Sequence, residues 1–195
     1  MRAVKNVGGE ELARQIVKAG KELKRDIEAT LLSAQAKNSG SGGVARRLQG
    51  AEAWIETNVV TGAVTEANVR DAMQQIFETG GDNKKVLVSP TTKSAISNTF
   101  DGASQKQQDA AKKTVHNATD IYVGDFGTVD IIPSLYVTST TALFVDPDQW
   151  ALGVLRSMKT EDLAKTGDND RKSLRTELTL ISKNEKGNGK IVAAA

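Results

Sequence analysis

Along residues 10–37 (EELARQIVKAGKELKRDIEATLLSAQAK) the apolar positions are Leu12, Ile16, Leu23, Ile27 and Leu31, with small Ala19 and Gly20 between them. Spacing of three, four and seven puts them in one stripe of a helix. Gly8-Gly9 permits a break before it, Glu10 and Glu11 suit the positive end of the helix dipole, and Asn38-Ser39-Gly40 offers a stop. At 1.5 Å per residue such a helix is about 42 Å long. A globule of this chain length is about 40 Å across. The pattern therefore predicts a strut that crosses the whole domain.

Elsewhere the periods are shorter. Residues 38–43 (NSGSGG) read as a flexible linker, and 44–58 as a short helix or turn anchored by Trp54. Thr65 is placed to cap a helix over 66–79 with Val69, Met73, Ile76 and Phe77 on one face and Gly80-Gly81 as its stop. KVLVS at 85–89 reads as a buried strand, and Ser89-Pro90 opens a helix over 90–98. Residues 100–119 are polar and read as a mobile excursion in preference to a weak helix over 103–115. Period two then takes over. Strands are predicted at 120–124, 128–133, 141–145 and 150–155, with 159–167 irregular or briefly helical. Leu174, Thr176, Leu178 and Leu180 alternate with polar residues as the clearest strand, and 190–193 is read as its hairpin partner across NEKGNG. The order of elements predicts a mixed α+β chain, with an α/β lobe in its middle.

Charge changes this picture only locally. The net charge is +2, yet residues 1–50 hold ten basic and five acidic groups, while 51–195 hold sixteen and nineteen. A solvated helix face carrying Lys18, Lys21, Lys24 and Arg25 accounts for the excess, and a DNA-binding module using that face is the alternative. Hydrophobic content of 38% with 4% aromatics permits a fold that leans on partners. Without cysteine, the chain has neither a disulfide frame nor a thiolate metal site. It has no run of about 18 apolar residues, so no membrane partner is expected.

Candidate chemistry is sparse. His116 lacks a motif-placed nucleophile or orienting carboxylate, and reads as a surface histidine. Gly40 to Gly43 lacks the Gly-Lys-Ser/Thr ending of a phosphate loop. The pairs Asp146/Asp148 and Asp168/Asp170 have the spacing of a cation loop without the twelfth-position Glu, and turn chemistry explains both. Asp168/Asp170 stays the better cation candidate, which calcium or magnesium calorimetry would test. No catalytic, cofactor-binding or metal residue is assigned, and the chain reads as a structural or binding protein.

Six ordered segments carry a family likeness: RAVKNVGGEELARQIVKAGKELKRDIEATLL, GGVARRLQGAEAWIETN, VLVSPTTKSAI, YVGDFGTVDIIPS, ALFVDPDQW and LAKTGDNDRKSLRTELTLISKNEKGNGKI. Together they resemble the major head (capsid) proteins of tailed bacteriophages, which have the fold named after phage Hong Kong 97. The resemblance implies a peripheral domain with a spine helix (10–37) and a β-sheet, formed by 1–59 and by 146–195 with a C-terminal hairpin. It implies an axial domain over about 60–145, a sheet flanked by helices. It also implies self-assembly into hexamers and pentamers of an icosahedral shell around DNA, built in the bacterial host cytoplasm and placed in the virion capsid. Portal, scaffolding or decoration proteins and non-specifically held packaged DNA are the further partners, and no catalytic residue is carried over. Family members have an N-terminal arm and an extended loop before the spine. Here the helix starts almost at once, so the chain resembles a truncated form, expected to be monomeric or weakly associated. A shell protein of a bacterial compartment with the same fold is the other reading.

Overall fold

The computed structural model describes residues 11–41, 43–82, 84–100, 107–109, 114–116, 120–164, 167 and 171–193. The strut is there but shorter than its sequence pattern: α1 spans Glu11–Leu32, 22 residues, or about 33 Å. It stops before 37 because Ser33 intervenes. Its hydroxyl and its amide both bond to Thr30 O, and the hydroxyl also accepts from Gln35 N. The chain then leaves the helix to pair backward. Gly50 N donates to Gln35 O, and Asn38 and Arg47 exchange two backbone bonds of 3.0 Å. The stretch read as a free linker is thus a closed loop, with Asn38 Oδ1 accepting from Gly40 N at its turn. Gly50 lies so near this crossing that a β-carbon there would fall 1.9 Å from Ser33 O.

A single turn, α2 (Ala51–Trp54), follows. Its anchor is Ile55, fully buried, whereas Trp54 is only half-buried. Strand β1 (Val59–Thr61) leads to α3 (Glu66–Glu78), capped by Thr65 Oγ1 on Asn68 N. Gly80, at φ +78°, ends α3: Gly80 N bonds to Phe77 O and Gly81 N to Ile76 O, the Schellman pattern that needs a left-handed residue at this position. Strand β2 (Lys85–Val88) feeds α4 (Pro90–Thr99), with Ser89 capping Thr92 N and Pro90 in the first turn.

Of residues 101–119 the structure describes two short strands, β3 (Gln107–Asp109) and β4 (Thr114–His116), which pair antiparallel. That part is a hairpin and not the helix over 103–115 weighed above. Strands β5 (Ile121–Gly124), β6 (Gly127–Pro133) and β7 (Ala142–Val145) follow as the alternation predicts. The largest departure lies next. β8 runs from Trp150 to Asp162, through residues expected to be irregular, and pairs antiparallel with β9 (Lys172–Ser182). The partner of β9 is therefore β8. β10 (Gly189–Val192) instead returns between β1 and β7. The backbone of β10 passes α3 closely at Gly189, where a β-carbon would stand 2.9 Å from Ile76 Cδ1.

The main sheet has the order β1-β10-β7-β2-β6-β5, with β1/β10 and β2/β6 parallel and the other neighbours antiparallel. On one face α3 and α4 seal the principal core, where Met73, Ile76, Ile96, Val86, Val88, Val129, Phe144 and Ile191 are shut from water. A smaller cluster of Ile55, Val137 and Leu143 sits apart, backed by Leu32, Leu87, Val145 and Trp150. This places the end of α1 and the start of β8 against the sheet lobe. Phe77, assigned to the buried face of α3, is instead exposed and rests on Phe126 with ring centroids 5.9 Å apart.

Candidate functional site

The helix and the long hairpin form a unit that is only half closed. Alternation along β9 turns Leu174, Thr176, Leu178 and Leu180 to one half-buried face, and α1 lies along that strand. At Gly20 a β-carbon would come 3.9 Å from Leu174 Cδ2, so the small residue in the apolar stripe sets the approach. Yet no residue of α1 is fully buried. The reason is the register: Leu152 stands opposite Leu180 and Val154 opposite Leu178, on the same face, but 53% and 57% exposed. At the irregularity after Val154, Leu155 projects 79% exposed. The helix covers one strand of two. Covering such a side chain fully is worth about 1.5–3 kcal/mol.

Incomplete packing shows in the polar atoms as well. Among the described residues, Glu52 Oε2, Trp54 Nε1 and Ser182 Oγ are buried without a hydrogen-bond partner. They belong to α2 and β9, the elements that α1 touches.

A second open surface lies at the other end of the main sheet. The pairing of β5, β6 and β2 puts Ile121, Val123, Ile132 and Leu87 on the face opposite α3 and α4. Leu87 is covered by the small cluster, but Val123 is 73% exposed and Ile121 and Ile132 also reach water. Leu135, just beyond β6, is 79% exposed.

A polar junction ties the hairpin to the sheet. Fully buried Asn188 accepts from Asp146 N (3.0 Å) and Trp150 Nε1 (2.9 Å) and donates to Asn184 O (2.8 Å). Asn58 donates to Lys186 O and Asn188 O, at 2.8 and 2.9 Å. Glu185 accepts from Glu56 N, Thr57 N and Thr57 Oγ1. Burial pushes the Glu185 carboxyl up, but these three bonds outweigh it and the group is held below its ordinary range. Lys84 Nζ bridges Asp148 (2.7 Å) and Asp146 (2.9 Å), which raises the Lys84 ammonium and lowers the Asp148 carboxyl.

That bridge shows where one acidic pair noted in the sequence goes. Asp146 and Asp148 do converge, but on an ammonium group, with Asp146 Oδ1 also accepting from Asp148 N. Among the described residues no group of three His, Asp or Glu could hold a metal ion. Asp168 and Asp170 and the side chain of His116 lie outside the described residues. Sequence reasoning missed Asn58, Lys84 and Asn188, which bond to partners as far as 130 positions away for Asn58, 64 for Lys84 and 42 for Asn188; Asn188 read as one more turn residue of NEKGNG. No described helix is long and apolar enough to cross a membrane.

A long helix on a hairpin and a six-stranded sheet with helices on one face make up the mixed helix–sheet fold of the Hong Kong 97 type. Two solved structures share the fold at low identity. One is the SrpI encapsulin, in its holo complex, from Synechococcus elongatus: TM-score 0.62, 13% identity, covering 97% of this chain and 68% of that one. The other is from Mycobacterium phage Adephagia: TM-score 0.61, 12% identity, covering 95% and 66%. The chain thus spans about two thirds of the length of these structures. No curated protein matches the sequence. The SU10 major capsid protein model matches residues 1–195, and the chain belongs to that family, the major capsid proteins of tailed-phage heads.

Proposed function

We propose that this protein is a wall tile of an icosahedral phage head, assembling with its own copies into hexamers and pentamers around the DNA genome. The observation that carries the proposal is the half-covered unit of α1, β8 and β9, in which Leu152, Val154 and Leu155 form an open apolar row. A neighbouring copy laid over that row completes a core that one chain leaves open, and repeated interfaces of this kind close a shell. In this reading α1 is the spine, residues 1–59 and 146–182 belong to the peripheral domain, and 60–145 form the axial domain with β10 inserted into its sheet. The role is structural and the site of action is the virion capsid, after assembly in the bacterial host cytoplasm. Portal, scaffolding and decoration proteins are the heterologous partners.

Electron microscopy of the protein produced in a bacterial cell, with and without its scaffold, tests this. Shells, rings or tubes are expected; their complete absence under both conditions would overturn it. The likeness to an encapsulin is one of fold, and the particle contents separate the two readings. DNA inside native particles supports a head, whereas packaged protein supports a compartment.

A further inference from the structure

Strand β8 is the outer edge of its sheet. Among the described residues only β9 pairs with it, and every residue from Val154 to Asp162 is exposed. Register shifts interrupt the pairing between Val154 and Arg156 and between Arg156 and Lys159, and from Lys159 to Asp162 the ladder is regular again. A regular, uncovered edge without proline or glycine is a template for a further strand. Alternation puts Thr160 with Leu174 on the helix side of the hairpin, and Lys159 and Glu161 on the other side. There Lys159 stands directly across from Arg175, a like charge, and has no ion pair among the described residues. Arg175 reaches along the face to Glu161 instead, 3.9 Å away. The edge therefore presents a cation without a carboxylate, two residues from a carboxylate that is only loosely held.

We infer that residues 159–161 of β8 are the edge to which a second copy of this chain adds its own β8, antiparallel, about a two-fold axis through Thr160. Such an axis sets Lys159 opposite the partner's Glu161 and Glu161 opposite the partner's Lys159, on one face of a four-stranded sheet. Thr160 meets the partner's Thr160 on the other face, and threonine pairs and opposite charges are both favourable across strands. Charge also fixes the register. Shifting the pairing by two residues sets Lys159 against the partner's Lys159 in one direction, and Glu161 against the partner's Glu161 in the other. A charged edge of this kind excludes strands that lack the reversed order. The contact is small and gains strength by repetition. Copies that follow one another in a pentamer or hexamer meet head to tail, whereas this contact is isologous. The paired edges therefore join tiles of adjoining rings. That placement rests on the proposed function; the pairing itself does not.

The chain has no cysteine, so a single one placed on the axis reports the contact. Directly opposed residues of antiparallel strands have α-carbons about 4.5–5.5 Å apart, within the span of about 4.4–6.8 Å that a disulfide bridges. Thr160→Cys, oxidised in the concentrated unassembled chain and in any particles, is expected to give a disulfide-linked dimer on non-reducing gels. Thr179→Cys, an exposed position on β9, measures the background from random collision. Adding Lys159→Glu or Glu161→Lys to Thr160→Cys sets like charges across both pairs and should lower the linked fraction about tenfold. Mixing these two variants restores both pairs, so a linked heterodimer should return, identified by its mass. All three positions are exposed, and circular dichroism checks that the fold persists. Linking no greater than that of Thr179→Cys, charge reversals without effect, or a mixture that fails to recover would each overturn the inference. Shells that form while Thr160→Cys stays unlinked overturn it and leave the proposed function standing; linked dimers that never form shells do the reverse.

Discussion

The sheet lobe and the helix–hairpin unit have similar raw material and opposite degrees of closure. In the lobe, α3 and α4 press on one face of six strands, and fourteen apolar residues form one buried cluster. In the unit, a 22-residue helix rests on one strand of a two-stranded sheet and buries none of its residues fully. Two strands and one helix cannot shield both edges of an apolar stripe. A region with a sound amphipathic pattern and an open apolar row leaves its last layer unfilled within one chain. The lobe closes its core by itself and the unit does not.

The sharpest way to break this comparison is to make equal truncations in both regions. Leu143→Ala in the lobe, where the side chain is shut from water, is expected to cost about 2–5 kcal/mol by chemical denaturation, whereas Leu178→Ala in the half-covered unit should cost less than about 1.5 kcal/mol, because that side chain is already partly hydrated. Similar costs would show that the unit is closed in solution.

Next in size are two joints between the regions. Gly50→Ala forces a methyl group into Ser33 O and should destabilise by about 1–3 kcal/mol, as overpacking does. Asn188→Ala strands Asp146 N and Trp150 Nε1 and should cost a similar amount, about 1–3 kcal/mol. Hydrogen exchange after Asn188→Ala should rise at the base of the hairpin; exchange confined to β10 would show that the two regions are not joined there.

Smaller still for stability is Leu155→Ser. It should shift unfolding by no more than about 0.5 kcal/mol and yet reduce the yield of shells or rings in electron microscopy. Unchanged assembly would remove this row from the contact surface.

The smallest expected effect is on pH. The Glu185 and Asp148 carboxyls are held below their ordinary values of 4.5 and 3.8. The unfolded chain therefore takes up these protons first, and the stability they contribute is present above those values and lost as pH falls through the lowered ones. Glu185→Gln should flatten the acid side of a melting-temperature profile below about pH 4.5; an unchanged profile would show that the Thr57 clamp carries no linkage.

How much of this was legible depends on how local each cause is. The caps Thr65 and Ser89, the Gly80-Gly81 stop and the alternation from Leu174 to Leu180 are read from neighbours within a few positions, and each took the form its spacing predicts. The resemblance to head proteins, carried by six segments, reached the family directly. The candidate surface was less legible, since periodicity marks Leu152 and Val154 as strand residues without saying that no helix covers them.

Amino-acid order alone determined the element types, the position of the long helix and the absence of cysteine chemistry, because these follow from short-range sterics, hydrophobic period and composition. Tertiary structure alone decided where α1 stops, since Gln35 and Asn38 pair with residues beyond position 46. It decided that β9 pairs with β8 while β10 crosses to lie between β1 and β7 in the main sheet. It also brought Asp146 and Asp148 together on the ammonium of Lys84. Each of these outcomes depends on which distant groups arrive at the same place, and packing sets that.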